Sequence, residues 1–217
     1  SFIHQVSYQL RSPLTNVIGF SQMLAEGHIG TLNQKQLEYA SLINHSTNAV
    51  LAIIDDILDL ASIDTGDMTL ELSEVDLPDV ILRASEGLKD RILEQKLALK
   101  IETPPNLGLF MADQHRLRQI IFNLLSNAIG FSNPGQVIAI SAAREADMIL
   151  LHVSDHGRGI DPEIIHQVFE RFDSHTKGSR HRGAGLGLSL VRSFVELHGG
   201  SVSITSKLGE GTRVTCR

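Results

Sequence analysis

Apolar positions recur every three or four residues through the first third of the chain. Ile3, Val6, Leu10, Leu14, Val17, Phe20 and Leu24 form one helical stripe. Pro13 interrupts it and predicts a bend, or at least a lost backbone hydrogen bond. Residues 27–31 (Gly-His-Ile-Gly-Thr) form a turn, and Asn33 has the chemistry of an N-cap. A second stripe runs Leu37, Ala40, Ile43, Val50, Ile53, Ile57, Leu60, Ala61 and ends near Asp64-Thr65-Gly66, with Gly66 as C-cap. Two amphipathic helices with a short connection predict an antiparallel hairpin. A lone hairpin leaves one apolar face uncovered. Twofold pairing with a second copy, giving a four-helix bundle, covers it; packing on the rest of the same chain is the alternative.

The pattern changes after Gly66. Asp67 to Leu77 reads as a short acidic linker with some strand character. Pro78 opens a helix that runs to about Lys96. Leu97 to Glu102 alternates as a strand, and Asp113 opens another helix reaching about Ile129. Residues 137–143 and 148–154 alternate and flank a polar turn, as a hairpin does. A short helix is expected after Pro162, a basic glycine-rich loop over 176–187 and a helix over 188–198. Residues 201–206 and 212–216 predict a last hairpin around Leu208-Gly209-Glu210-Gly211. Strands and helices in mixed order with antiparallel pairs predict an α+β chain, a helical hairpin followed by an α/β sandwich. The expected boundaries are 1–66 for the hairpin, 67–75 for a linker and 76–217 for the sandwich.

Composition narrows the classes. The 217 residues are 42% hydrophobic and 20% charged, too apolar for a disordered chain. No apolar run approaches the roughly 18 residues of a membrane span, and nothing reads as a signal peptide. A net charge of −6 argues against nucleic acid as a partner. The single cysteine, Cys216, cannot form an internal disulfide and fits a reducing compartment. A cytoplasmic location is therefore expected, with no membrane contact by this segment. Ten histidines invite a search for metal sites, but none is read as part of a metal-ligand set.

Three clusters in the second domain carry chemistry. Asp155-His156-Gly157-Arg158-Gly159 sets a carboxylate at a strand end before two glycines that let backbone approach a ligand. Such a carboxylate accepts a hydrogen bond from an exocyclic amine like that of adenine. Gly183-Ala184-Gly185-Leu186-Gly187-Leu188 opens a helix, whose N–H groups and dipole suit phosphate. Asn123 and Asn127, four apart on one helix face, offer amide oxygens for a magnesium ion that bridges phosphates. Each cluster alone has a bland reading, as a turn or a solvated face. Their order and spacing together are far more specific.

In that order, Asn123 to Ala128, Asp155 to Gly159, Phe169 to Phe172 and Gly183 to Leu188 resemble the N, G1, F and G2 boxes of sensor histidine kinases. Ser7-Tyr8-Gln9-Leu10-Arg11-Ser12-Pro13-Leu14 resembles that family's phosphoacceptor box. The resemblance spans essentially the whole chain. It implies a Bergerat-type (GHKL) sandwich that binds ATP or ADP with Mg2+, a homodimer, and a response-regulator receiver domain or another histidine kinase as partner. It makes Asn127 the Mg2+ ligand, Asn123 a phosphate contact and Asp155 the adenine reader, with Gly157 and Gly159 shaping the loop. Gly183, Gly185, Leu186, Gly187, Leu188 and Thr212 complete the nucleotide set. Residues 173–182 become a lid in which Lys177, Arg180 or Arg182 meets phosphate.

The departures matter as much. The family's acceptor is histidine, and here it is Tyr8. A phenol with an ordinary pKa of about 10 is roughly a thousandfold under-ionised at pH 7. Its phosphoester is also a poor donor to a carboxylate. The neighbouring acid is replaced by Gln9, which takes no proton, and Ser12 stands where many members carry Thr or Asn. Gly130 replaces a common phosphate-contacting lysine, and Ala184 a frequent Ser or Thr. His4 and His45 lack the flanking box, and His175 and His181 lie in the lid. These features favour a regulatory pseudokinase that docks a receiver near Tyr8. A tyrosine autokinase is the alternative. An ATPase of the gyrase and Hsp90 type is disfavoured, because the position of its glutamate base holds Asn123. Only seven residues precede Tyr8, so the chain reads as a piece cut from a longer protein with sensor regions and any membrane anchor elsewhere.

Overall fold

The computed structural model describes residues 2–170 and 185–217, with only the backbone of residues 2–4 and 7. The expectations placed on Phe172, His175, Lys177, Arg180, His181, Arg182, Gly183 and Ala184 fall outside the described residues. The chain divides into two compact units, Ser1–Met68 and Thr69–Arg217.

The first unit is the hairpin of α1 (Phe2–Ala25) and α2 (Gln34–Asp64). Asn33 and Gln36 form a reciprocal capping box, each side chain accepting the other's backbone N–H at 2.9 Å. Helix α1 continues through Pro13, which has no N–H to give the Gln9 carbonyl. Small residues let the helices meet: the buried Ser21 hydroxyl donates to the Ala40 carbonyl at 2.7 Å. Ala40, Thr47 and Ile54, seven apart, form the buried seam of α2. Arg11 and Asp55 form an ion pair between the two helices. The C-cap of α2 is Thr65 rather than Gly66; Gly66 follows in the left-handed conformation at φ 73°.

The second unit builds a five-stranded sheet from β2 (Ala98–Glu102), β4 (Val137–Glu145), β5 (Met148–Asp155), β7 (Gly211–Cys216) and β6 (Val202–Lys207), in that order. Strands β2 and β4 are parallel and the other pairs antiparallel. Register explains its two faces. Ile101, Ile140, Val153, Val214 and Ile204 line up across all five strands. The neighbouring row is Glu102, Ser141, His152, Thr215 and Ser203, which is polar. The apolar face is covered by α5 (Gln114–Phe131) and α6 (Gly187–Leu197), with α3 (Leu77–Glu86) packed on α5. Phe194, Leu190, Ile121, Leu125 and Ile129 are fully buried there. Cys216 is buried, and burial pushes its thiol up to about 12, so it packs as a small apolar group.

Several elements differ from the expectations. Residues 72–75, read as linker, form β1 (Leu72–Val75), which pairs with an unanticipated strand β3 (Phe110–Asp113) and belongs to the second unit. Four-residue strands carry too little alternation to show in sequence. The helix expected from Pro78 to Lys96 is two: α3 ends at its C-cap Gly87, and α4 (Lys89–Glu94) follows the buried Leu88. Glycine is a poor helix former, and Leu88 reaches the core only if the chain turns there. After Pro162 the chain makes successive turns instead of a helix, with Ile164, Gln167 and Glu170 each donating three residues back. The Asp161 carboxylate also accepts the Glu163 N–H, a local bond that competes with helix.

Candidate functional site

Helix α5 carries Asn123 and Asn127, and Asp113 fixes its start. One Asp113 oxygen accepts the His115 and Arg116 N–H groups and the other accepts that of Glu71, all at 3.0 Å. Burial pushes this carboxyl up, but the N–H groups of Arg116, Glu71 and His115 outweigh it and hold the carboxyl below its usual range. The Asp113 N–H donates to His198 Nε2 at 3.0 Å, and His198 Nδ1 donates to the Phe194 carbonyl at 2.7 Å. One histidine thus ties the start of α5 to the end of α6.

Asn123 and Asn127 are half-buried, not freely solvated. A Cβ at Gly187 would lie 3.8 Å from Asn123 Cγ, so the first asparagine meets the N-terminus of α6. Leu186, the N-cap of α6, is buried, and its carbonyl accepts the Ser189 hydroxyl at 2.8 Å. Gly185 is left-handed at φ 70°, and Leu188 is half-buried.

Asp155 ends β5 on the same side as Leu151 and Val153, toward the helices, and is buried. Its Oδ1 accepts the Gly157 N–H at 2.8 Å. Burial pushes the carboxyl up, partly countered by the Gly157 and Thr212 N–H groups. Thr212 pairs with Asp155 in the sheet, and its hydroxyl meets Ser206 Oγ at 2.8 Å. Ser206 Oγ also accepts the Ile160 N–H at 2.8 Å, which anchors the loop after Asp155.

The glycines of that loop are required for a reason other than ligand approach. A Cβ at Gly157 would sit 2.1 Å from the Phe131 carbonyl oxygen, and one at Gly159 2.1 Å from that of Lys207. Gly211, which sequence reasoning missed, lies equally close (2.1 Å) to the Asp155 carbonyl oxygen. The molecule's own backbone fills these spaces. Arg158 stacks on the Phe131 ring at 4.9 Å, and Gln136 donates to the His156 carbonyl at 2.6 Å. The end of α5, the Asp155 loop and the β6–β7 turn therefore form one rigid cradle. The only sequence signal for Gly211 is its place in a turn.

The donor set fits a magnesium nucleotide: a buried carboxylate acceptor, two amide side chains on one helix face, and a helix N-terminus beside the first of them. Two clefts lie elsewhere in this unit. One, of about 330 Å³, is lined by Glu71, Arg83, Asp113 and Arg118; the other, of about 420 Å³, by Ile165, Phe169, Arg192 and Val202.

In the hairpin, Tyr8 is 79% exposed, and Gln9 and Ser12 are exposed beside it. At roughly 3.6 residues per turn, Tyr8 shares the flank of α1 that carries Arg11. Asp55, Asp56 and Asp59 lie along the matching part of α2. Burial, then Asp59 and Asp55, push the Asp56 carboxyl up to about 6. The opposite flank is apolar and open: Leu10, Val17 and Leu24 of α1, with Ile43 and Val50 of α2, each remain between 41% and 48% exposed. Among the described residues no helix is long and apolar enough to cross a membrane.

Comparison with known proteins agrees with both halves. The family described as "His Kinase A (phospho-acceptor) domain" matches residues 1–66. The family described as "Histidine kinase-, DNA gyrase B-, and HSP90-like ATPase" matches residues 112–217. The chain is 37% identical to the sensor protein DivL of Caulobacter vibrioides over 99% of its own length and 27% of that protein's. It is also 37% identical to the circadian input-output histidine kinase CikA of Synechococcus elongatus, over 99% of this chain and 29% of the relative. The chain thus spans less than a third of either relative. The structure of full-length ShkA in complex with AMPPNP superposes with a TM-score of 0.82 at 26% identity, covering 99% of this chain and 44% of that one. The chain belongs to the sensor histidine kinase family and comprises its phosphoacceptor-type helical hairpin and its ATPase-type α/β domain.

Proposed function

We propose that this protein is a regulatory pseudokinase of two-component signalling: a homodimer that binds Mg2+-ATP or ADP in its second unit, docks a receiver domain near Tyr8 and signals through conformation. The observation that carries the reading is Tyr8 itself, exposed on α1 at the position where the family's acceptor stands. Its neighbour Gln9 accepts no proton, so no adjacent side chain activates the phenol. The protruding ring, with an apolar body and a polar tip, suits protein contact.

In the nucleotide unit, Asp155 holds the adenine amine, Asn127 supplies an oxygen to Mg2+, and Asn123 lies beside the α6 N-terminus where phosphate collects. Bound ATP brings a transferable phosphoryl group. The chain's own residues orient it without providing a competent acceptor. Dimerisation is supported by the open apolar flank of Leu10, Val17, Leu24, Ile43 and Val50. The exposed Tyr8 hydroxyl supports a second reading, autophosphorylation on tyrosine.

The test is incubation with γ-labelled ATP, followed by acid and base treatment of the protein. Nucleotide binding without label supports the pseudokinase. Acid-stable label that disappears in Tyr8→Phe supports the autokinase. Acid-labile label passed to a receiver aspartate overturns both.

A further inference from the structure

From Asn123 through Asn127 to Gly130, this face of α5 carries no charged side chain. A triphosphate brought against it needs a cation from another element. Arg91, on α4, supplies one. Its Nη1 donates to Ser126 Oγ at 2.8 Å. Ser126 lies three residues after Asn123 and four before Gly130, so both are its neighbours on the helix surface, roughly 5–6 Å away between Cβ positions. The guanidinium is therefore held at the edge of the asparagine face.

The state of Arg91 is unusual for a structural arginine. It is half-buried, and burial lowers its pKa, with Glu94 only partly countering. No carboxylate forms an ion pair with it among the described residues; its hydrogen bond goes to a neutral hydroxyl. A half-buried guanidinium with no ion-pair partner is costly, and a single bond to Ser126 uses one of its five N–H donors. An anion arriving on the asparagine face would relieve that cost, and guanidinium geometry matches phosphate oxygens.

We infer that Arg91 is a phosphate-binding residue of the nucleotide site, aimed by Ser126 and supplying the positive charge that Gly130 does not. This rests on the nucleotide reading of the second unit. It makes Arg91 specific for the distal phosphates rather than for adenine or ribose.

The experiment measures Mg2+-ATP, Mg2+-ADP and adenosine binding by calorimetry on the full chain, for wild type, Arg91→Gln, Arg91→Lys and Arg91→Gln with Gly130→Lys. Arg91→Gln keeps a hydrogen-bonding head for Ser126 while removing the charge. It is expected to weaken Mg2+-ATP roughly tenfold or more, as loss of one charge-assisted bond does. Mg2+-ADP should weaken less, and adenosine should not change. Arg91→Lys keeps the charge but not the planar fork, and its affinity should fall between those of wild type and Arg91→Gln. Gly130→Lys restores ATP binding in the Arg91→Gln background. Equal ATP affinity in wild type and Arg91→Gln, or an equal loss for adenosine, overturns the inference and leaves the nucleotide reading intact. A wild-type protein that binds none of the three ligands overturns both.

Discussion

The hairpin and the α/β unit bury themselves to very different degrees. Among the described residues, α2 contributes only Ala40, Ile54 and Leu60 as buried apolar side chains, while its flank with α1 leaves a stripe of large apolar residues nearly half exposed. The second unit closes a full layer of helix side chains over one sheet face, with Phe194, Leu190, Ile121 and Ile138 out of contact with water. One unit leaves an apolar flank open and the other closes its core. Chemistry divides the same way. The nucleotide cradle is built from backbone that touches backbone, where a single methyl group is excluded. Tyr8, by contrast, is one exposed side chain on a helix.

That comparison can be broken most forcefully at Gly157. Gly157→Ala places a Cβ 2.1 Å from the Phe131 carbonyl oxygen, so the Asp155 loop or the end of α5 must move. The expected cost is about 2–3 kcal/mol in the second unit, with loss of nucleotide binding, read by thermal unfolding and calorimetry. Unchanged melting would mean the cradle is not rigid. A smaller effect on stability but a complete one on assembly is expected from Val17→Glu with Val50→Glu. Light scattering should report a monomer that still binds nucleotide; a persisting dimer would show that the open flank is not the interface.

The smallest effect is electrostatic. Asp56 has its carboxyl raised to about 6 by burial and by Asp59 and Asp55. The folded state therefore binds its proton more tightly than the unfolded state, whose carboxyl stays near 3.8. Its contribution is fully present below about 4 and is lost as pH rises through about 6. The hairpin should gain stability as pH falls from 7 toward 5, and Asp56→Asn should flatten that slope. An identical slope in the variant would remove Asp56 from the account.

Much of this was legible in the sequence because periodicity survives wherever one face is buried. Both long helices, the alternating strands of the main sheet and the helices bearing Asn123 and Leu188 follow from spacing alone. What stayed hidden depends on contacts distant in sequence. Strands β1 and β3 are four residues each and exist because they pair with one another. The break at Gly87 follows from burial of Leu88. Gly157 and Gly159 were recognisable as special, but the reason is the carbonyls of Phe131 and Lys207, which no local pattern announces. Arg91 was invisible as a site residue because its link to Ser126 crosses between two helices.

The central claim is that an intact frame has lost its chemistry at Tyr8 and Gln9. The most direct test compares wild type with Tyr8→His, Gln9→Glu for label taken up from γ-labelled ATP under one set of conditions. The expected result is Mg2+-ATP bound by both proteins, no label in wild type and acid-labile label in the restored variant. Label in wild type at a rate equal to that of the restored variant, and absent from Tyr8→Phe, would contradict the claim and make Tyr8 a working acceptor.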